Sequence, residues 1–258
     1  MTTAKRAIIS GSTDGIGRAT AINLCRDGYA VTLISRNIAK LIKLKEELNC
    51  IRADEHTIVE ADLEQYEDVK EILADHKLPP SEKLILVNNV GGPMPKDIMD
   101  CDVKDFQAVF NKYFLSYHQL TQHFVPAMKR NKWGRIINIL GTIILSPIPG
   151  MGLSSIKSAT SNWSKSLSME LGVFNITVND VLPGPTRTKE LTNVIKGLAK
   201  RENMSPDDYL DQVVRKMSLR RIGEPEEIAE GVAFLSSDKA RFITGSRLTM
   251  DGGYTTCL

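Results

Sequence analysis

Short, almost unbroken apolar runs recur along the chain. Between them lie longer stretches whose apolar residues return every three or four positions. The runs are RAIIS (6–10), AVTLIS (30–35), HTIVEA (56–61), KLILVNN (83–89), RIINIL (135–140), ITVNDVL (176–182) and RLTM (247–250). Most are apolar at consecutive rather than alternate positions, the pattern of strands covered on both faces of a parallel sheet. The longer stretches include GRATAINLCRDG (17–28), NIAKLIKLKEELN (37–49), DVKDFQAVFNKYFLSYHQLTQHFVPAMKR (102–130) and SIKSATSNWSKSLSMELG (155–172), and they read as helices. Strand and helix alternate, which predicts right-handed βαβ units. The expected architecture is α/β: a doubly wound, mostly parallel seven-stranded sheet with helices on both faces. No repeat, low-complexity linker or composition break divides the chain, so residues 1–258 are expected to form one domain. The least regular stretch is 184–224, and an insertion around 186–222 is expected to act as a substrate lid.

Composition removes several classes of function. A net charge of +2 gives no reason to expect nucleic acid. The basic stretch MKRNKWGR (128–135) reads as a solvated turn between a helix and a strand. No apolar run approaches the roughly 20 residues that span a bilayer, so no membrane partner is expected. MTTAKRAIIS runs directly into a strand without a long apolar core or cleavage site, so no signal peptide is expected. Cys25, Cys50, Cys101 and Cys257 are scattered and form no CxxC pair. They read as free thiols in a reducing, cytoplasmic setting. His56, His76, His118 and His123 show no metal-ligand spacing, so no metal is expected.

The first candidate chemistry lies in IISGSTDGIGRATA (8–21), which leaves the first strand and opens the first helix. Gly11, Gly15 and Gly17 permit a tight turn and a close approach of backbone N–H groups to a pyrophosphate, helped by the helix N-terminus. Thr13 and Ile16 belong to the same turn. The second strand ends LISRN, with Ser35 and Arg36 where NAD-preferring folds place an acid for the ribose 2′-hydroxyl. A guanidinium there suits a 2′-phosphate by charge and bidentate geometry. The expected cofactor is NADP(H), bound on a Rossmann-type fold.

In these residues and those that follow, the sequence resembles the classical short-chain dehydrogenase/reductase family over nearly its whole length. The family's glycine turn is matched by Gly11, Gly15 and Gly17, and its acid after the third strand by Asp62, followed by Leu63. Its NNAG element is matched by NNVG, with Asn89 and Gly91, and its long-helix asparagine by Asn111. Its PG motif is matched by LPGPTRT, with Pro183, Gly184 and Thr188; the ending 220–254 is also similar. The resemblance implies a small-molecule substrate, a homotetramer or homodimer, and Lys157 as the lysine that grips the nicotinamide ribose.

Two members of the family's catalytic set do not match. Anchored on GRIINI (134–139), the serine position falls on Gly141, beside Thr142. Anchored on Lys157, the tyrosine position falls on Leu153. The enoyl-reductase spacing, seven residues before the lysine, falls on Gly150. Losing a general acid costs roughly 10²- to 10⁴-fold, so simple ketone reduction is expected to be poor. Three readings stay open. Hydride can add to the far carbon of an enone, with Thr142, Ser155 or backbone N–H groups holding the oxygen. A substitute donor, Ser154, Ser155 or Tyr254, can serve a carbonyl. Or the chain is a non-redox or partner subunit. NNVGGPMPKDIMDCDVKDF, the serine-free GRIINILG and the extended KGLAKRENMS are similar in part to a reductase that also lacks the tyrosine and acts on a conjugated double bond; this favours the first reading. Met151, Leu153 and Ile156 are expected to form an apolar wall.

Overall fold

The computed structural model describes residues 5–75 and 83–256; His76 and Cys257 lie outside them. In chain order the elements are β1 (Lys5–Ser10), α1 (Gly15–Arg26), β2 (Ala30–Ser35), α2 (Ile38–Ile51), β3 (Thr57–Glu60), α3 (Tyr66–Asp75), β4 (Lys83–Asn88), α4 (Val103–Phe110), α5 (Ser116–Asn131), β5 (Gly134–Ile139), α6 (Ser155–Leu171), β6 (Ile176–Pro183), α7 (Lys189–Arg201), α8 (Pro206–Lys216), α9 (Pro225–Ser236) and β7 (Arg247–Met250). The strands form one sheet in the order β3-β2-β1-β4-β5-β6-β7. Every pairing is parallel.

The consecutive apolar positions explain the layering, because successive side chains in a strand point to opposite faces. Ala7, Ile9, Val31, Leu33, Ile85 and Val87 face a layer made by α1, α2 and α9, with Leu24, Leu41, Leu48 and Val232 packed on them. Ile8, Ile34, Leu84, Leu86, Ile136 and Val178 face the opposite layer of α3, α5 and α6, with Val69, Leu120, Phe124 and Leu171. Each fully buried valine, leucine, isoleucine or phenylalanine among them contributes roughly 1.5–3 kcal/mol.

A row of buried amides and acids crosses the sheet near the carboxyl ends of its central strands. Asn88 Nδ2 donates to Asn138 Oδ1 at 2.8 Å, and Asn138 Nδ2 donates to Asp180 Oδ1 at 3.1 Å and Ser164 Oγ at 3.0 Å. Ser161 Oγ donates to Asp180 Oδ2 at 2.6 Å. Because Ser161 and Ser164 belong to α6, this row fixes the helix that carries Lys157 against β4, β5 and β6.

The structure departs from the sequence reading in two places. The helix expected over 102–130 is two helices joined by one π-helical turn, Asn111–Leu115. Such turns insert a residue into an otherwise α-helical ladder and concentrate at functional sites. The irregular stretch expected over 184–224 contains α7 and α8. Their starts are capped: Thr188 Oγ1 accepts from Leu191 N–H at 3.1 Å and Ser205 Oγ from Asp208 N–H at 3.1 Å, with Pro206 in the first turn.

Candidate active site

The strand order reverses between β1 and β4, and the loops that follow β1, β4, β5 and β6 surround a cavity of about 430 Å³ at this switch point. The β1 turn forms its floor. Gly11 has φ +56°, and a Cβ there would lie 2.6 Å from the Asn89 carbonyl; at Gly17 it would lie 2.2 Å from the Gly11 carbonyl. Gly11 and Gly15 line the cavity, whereas Gly17 does not and serves the close approach of helix to strand. Asn89 pins the turn: its Nδ2 donates to the Gly11 carbonyl at 3.1 Å, and its N–H donates to Ser10 Oγ at 3.0 Å.

Thr13, Ile16, Ser35, Arg36, Asp62, Leu63, Asn89 and Gly91 line the same end. The Thr13 and Ser35 hydroxyls are 3.0 Å apart, and Arg36 Nη1 stands 3.6 Å from Asp62 Oδ2 at the mouth. Pro183, Gly184 and Thr188 line the wall after β6. A glycine cradle that any Cβ would fill, with an exposed and only loosely paired guanidinium at the end of β2, fits a dinucleotide bearing a 2′-phosphate.

At the other end the catalytic candidates divide. Lys157 and Thr142 line the cavity; Thr142 is 6% exposed. The Lys157 Nζ lies 4.8 Å from the Tyr113 ring centre. Burial lowers its pKa; Glu190 pushes it back up and Lys112 further down. Asn111 opens the π-helical turn, outside the cavity lining, with its Oδ1 buried and unpartnered. Ser155, expected near the substrate oxygen, is instead exposed as the first residue of α6 and does not line the cavity. Its neighbour Ser154 does, at 3% exposure, with a buried Oγ that has no hydrogen-bond partner. A one-residue advance turns a side chain about 100° around a helix, which separates the two.

Leu153 is 7% exposed, does not line the cavity, and packs with Val109, Tyr113, Tyr117, Leu140 and Leu182. Ile156 packs against this cluster, so of the expected apolar wall only Met151 faces the cavity. Gly141, at the serine position, has φ 97° and ψ 154°. That region is essentially open to glycine alone, so the β5 loop has a backbone that a serine does not adopt without strain.

Sequence reasoning singled out the 186–222 insertion and Tyr254 but named none of the α7 and α8 side chains that roof the cavity. Val194, Ile195 and Leu198 of α7 and Tyr209 and Val213 of α8 line the cavity, with Tyr254 from the C-terminal segment. Tyr209 and Tyr254 are both raised above the usual phenol pKa, chiefly by burial. The roof is tied to the segment after β4. Pro95 lies where a Cβ on Gly197 would be 2.9 Å from it, and Arg201 pairs with Asp97. Lys112 and Glu190, neither singled out from sequence, also line the cavity. Glu190 carried one legible signal, an acid two residues after the capping Thr188.

The family model described as enoyl-(acyl carrier protein) reductase matches residues 11–255. The NADPH-dependent reductase BacG of Bacillus subtilis (strain 168) is 30% identical over 251 residues, covering 96% of this chain and 97% of BacG. Among solved structures, YwfH, an NADPH-dependent reductase involved in bacilysin biosynthesis, matches with a TM-score of 0.89 at 27% identity, covering 99% of this chain and 100% of YwfH. L-Sorbose reductase from Gluconobacter frateurii, solved with NADPH and L-sorbose, matches with a TM-score of 0.90 at 27% identity over 99% and 98% of the two chains. Matched along nearly its whole length by the model and by these relatives, the chain belongs to the short-chain dehydrogenase/reductase family.

Proposed function

We propose that this chain is an NADPH-dependent reductase that directs hydride to a conjugated enone or a related carbonyl compound. Its relatives support the cofactor: BacG and YwfH are NADPH-dependent by name, and L-sorbose reductase was solved with NADPH. The glycine cradle and Arg36 support the same choice. The observation that carries the substrate class is the direction of Leu153, packed away from the cavity. The family route, in which a phenol at this position protonates a ketone oxygen, has no group to perform it. An enone needs none there. When bound, NADPH supplies the hydride for the far carbon. Lys157 and the Thr142 hydroxyl hold the charge that gathers on oxygen, and water delivers the proton to the near carbon. Ile143, Ile148, Met151, Ile195 and Leu198 supply an apolar chamber for a flat substrate, and α7 with α8 serves as its lid.

The test is NADPH oxidation by the purified protein with an α,β-unsaturated ketone and its saturated counterpart. Faster turnover of the enone is expected; preference for the saturated ketone overturns the proposal. A second reading, carbonyl reduction with a substitute donor, is favoured by Tyr254, whose phenol stays protonated near neutral pH and lines the cavity. Loss of ketone turnover in Tyr254→Phe would support it. The chain is also proposed to work in the cytoplasm as a homo-oligomer, supported by free Cys25, Cys50 and Cys101 and by exposed Met169, Val173 and Phe242; light scattering after gel filtration reads the assembly. Among the described residues no helix is long and apolar enough to cross a membrane.

A further inference from the structure

A carboxylate stands in the cavity where neither a polyanionic nucleotide nor an apolar substrate calls for one. Glu190 lies in the first turn of α7, where an acid ordinarily serves the helix dipole. Thr188 already caps this helix, and the Glu190 side chain reaches across to the loop after β4. Its seat is Gly91–Gly92. A Cβ on Gly92 would lie 2.2 Å from Oε1 and 3.1 Å from Cδ of Glu190, and one on Gly91 would lie 3.7 Å from Oε2. Gly92 has no left-handed backbone to explain it; the carboxylate demands the missing side chain. The same point lies 3.6 Å from the Tyr113 hydroxyl, and over the Tyr113 ring stands Lys157.

We propose that Glu190 is a positioning residue for Lys157: seated on Gly91–Gly92 beside Tyr113, its carboxylate is the counter-charge that holds the lysine as an ammonium facing the substrate oxygen. This rests on the reading of Lys157 as the cation of a reductase. The groups around Lys157 are Glu190 from α7 and Lys112 and Tyr113 from the π-helical turn, with Tyr117 of α5 beside Tyr113. Burial drives the amine toward its neutral form and Lys112 adds to that, while Glu190 opposes both. Tyr113 and Tyr117 are pushed well above the phenol range, first by burial and next by Glu190, so neither supplies an anion near neutral pH. Asp180, behind Tyr117, is engaged by Ser161 and Asn138. With no family tyrosine to share the lysine's charge, Glu190 takes over the task of keeping it.

The experiment compares wild type with Glu190→Gln, an isosteric change at an exposed residue. Lysine titration is followed by ¹³C NMR in the cofactor-free protein, with Lys157→Met assigning the resonance, and the pH profile of kcat/KM is measured in parallel. In E190Q the Lys157 titration moves down by about one pH unit. The alkaline limb of kcat/KM follows, with about a tenfold loss above it and little loss below. Gly92→Ala displaces the same carboxylate and reproduces the shift, and the double variant adds nothing further. An unmoved Lys157 resonance in E190Q overturns the inference. A moved resonance with an unmoved alkaline limb upholds the pairing and overturns Lys157 as the group that meets the substrate oxygen.

Discussion

Replacing Leu153 by tyrosine restores the family's residue at its own position, and the packing around Leu153 predicts that the variant does not gain the family's chemistry. Leu153 is 7% exposed and wedged among Val109, Tyr113, Tyr117, Leu140 and Leu182. A phenol ring there overfills a close-packed cluster, at a cost of roughly 1–3 kcal/mol. For a chain of 258 residues, each kcal/mol lowers Tm by about 2–4 °C, so a fall of about 2–12 °C is expected. A phenol confined to the cluster cannot reach an oxygen in the cavity, so ketone reduction stays at the wild-type level and enone reduction becomes no faster. A phenol that did reach the cavity as a general acid would raise ketone reduction by roughly 10²-fold or more. Thermal unfolding and initial rates on a matched enone and saturated ketone read both halves. A hundredfold gain on the ketone with an unchanged Tm would refute the argument: the site would then lack only its acid. Adding Gly141→Ser to the variant should lower stability further, by roughly 1–3 kcal/mol, because a side chain at φ 97° and ψ 154° is strained.

Arg36→Asp should weaken NADPH binding by about 10- to 150-fold, the equivalent of a charge-assisted contact of roughly 1.5–3 kcal/mol, and leave NADH binding unharmed. Its pairing with Asp62 is loose and exposed, so Tm should hold; equal losses for both nucleotides in a fluorescence titration would sink the 2′-phosphate assignment. Ser154→Ala should cost roughly 10²-fold in kcat/KM if its hydroxyl holds the substrate oxygen, while Tm stays level or rises, because the hydroxyl has no partner to lose. A fall in both would mark a structural role. His56 accepts the Val31 N–H at Nδ1, 3.0 Å away, and its Nε2 is 3.0 Å from the Arg52 carbonyl, which requires a neutral ring. Burial holds its pKa below 6.5, so the folded chain resists the proton that the unfolded chain accepts: stability is present above pH 6.5 and drains as pH falls through the lowered value. His123, also lowered by burial, adds the same sign. His56→Asn should flatten the slope of Tm between neutral and mildly acid pH, and an unchanged slope would remove His56 as its source.

The parts of this molecule legible from sequence are those where one local rule decides. Each of the seven strands begins and ends within a residue or so of its apolar run, because most of them are covered on both faces and the polar residues they do hold, such as Asn88, Asn138 and Asp180, are paired with one another. The glycine turn was legible for a similar reason. At Gly11 and Gly17 the backbone of Asn89 and of Gly11 itself fills the space of a Cβ, so only one residue type fits. The starts of α7 and α8 were equally available, in Thr188 and in Ser205-Pro206, but a segment rich in lysine and arginine reads as a loop unless its caps are weighed.

What sequence could not supply is direction. From Leu153 to Ser155 three consecutive side chains go to three places, the apolar cluster, the cavity edge and solvent, and only the short turn at Gly152–Ser154 leading into α6 decides which goes where. The π-helical turn at Asn111–Leu115 has the same character. No residue type announces it, yet it brings Tyr113 beneath Lys157, and Lys112 to the cavity and within 3.0 Å of Glu64. Glu190 and Gly92 are nearly a hundred residues apart, so their fit exists only once α7 lies along the β4 loop. The nucleotide end is written in backbone sterics and survives in the sequence as glycines. The reacting end is written in side-chain rotation about helices, where a shift of one residue changes the chemistry and leaves the pattern untouched.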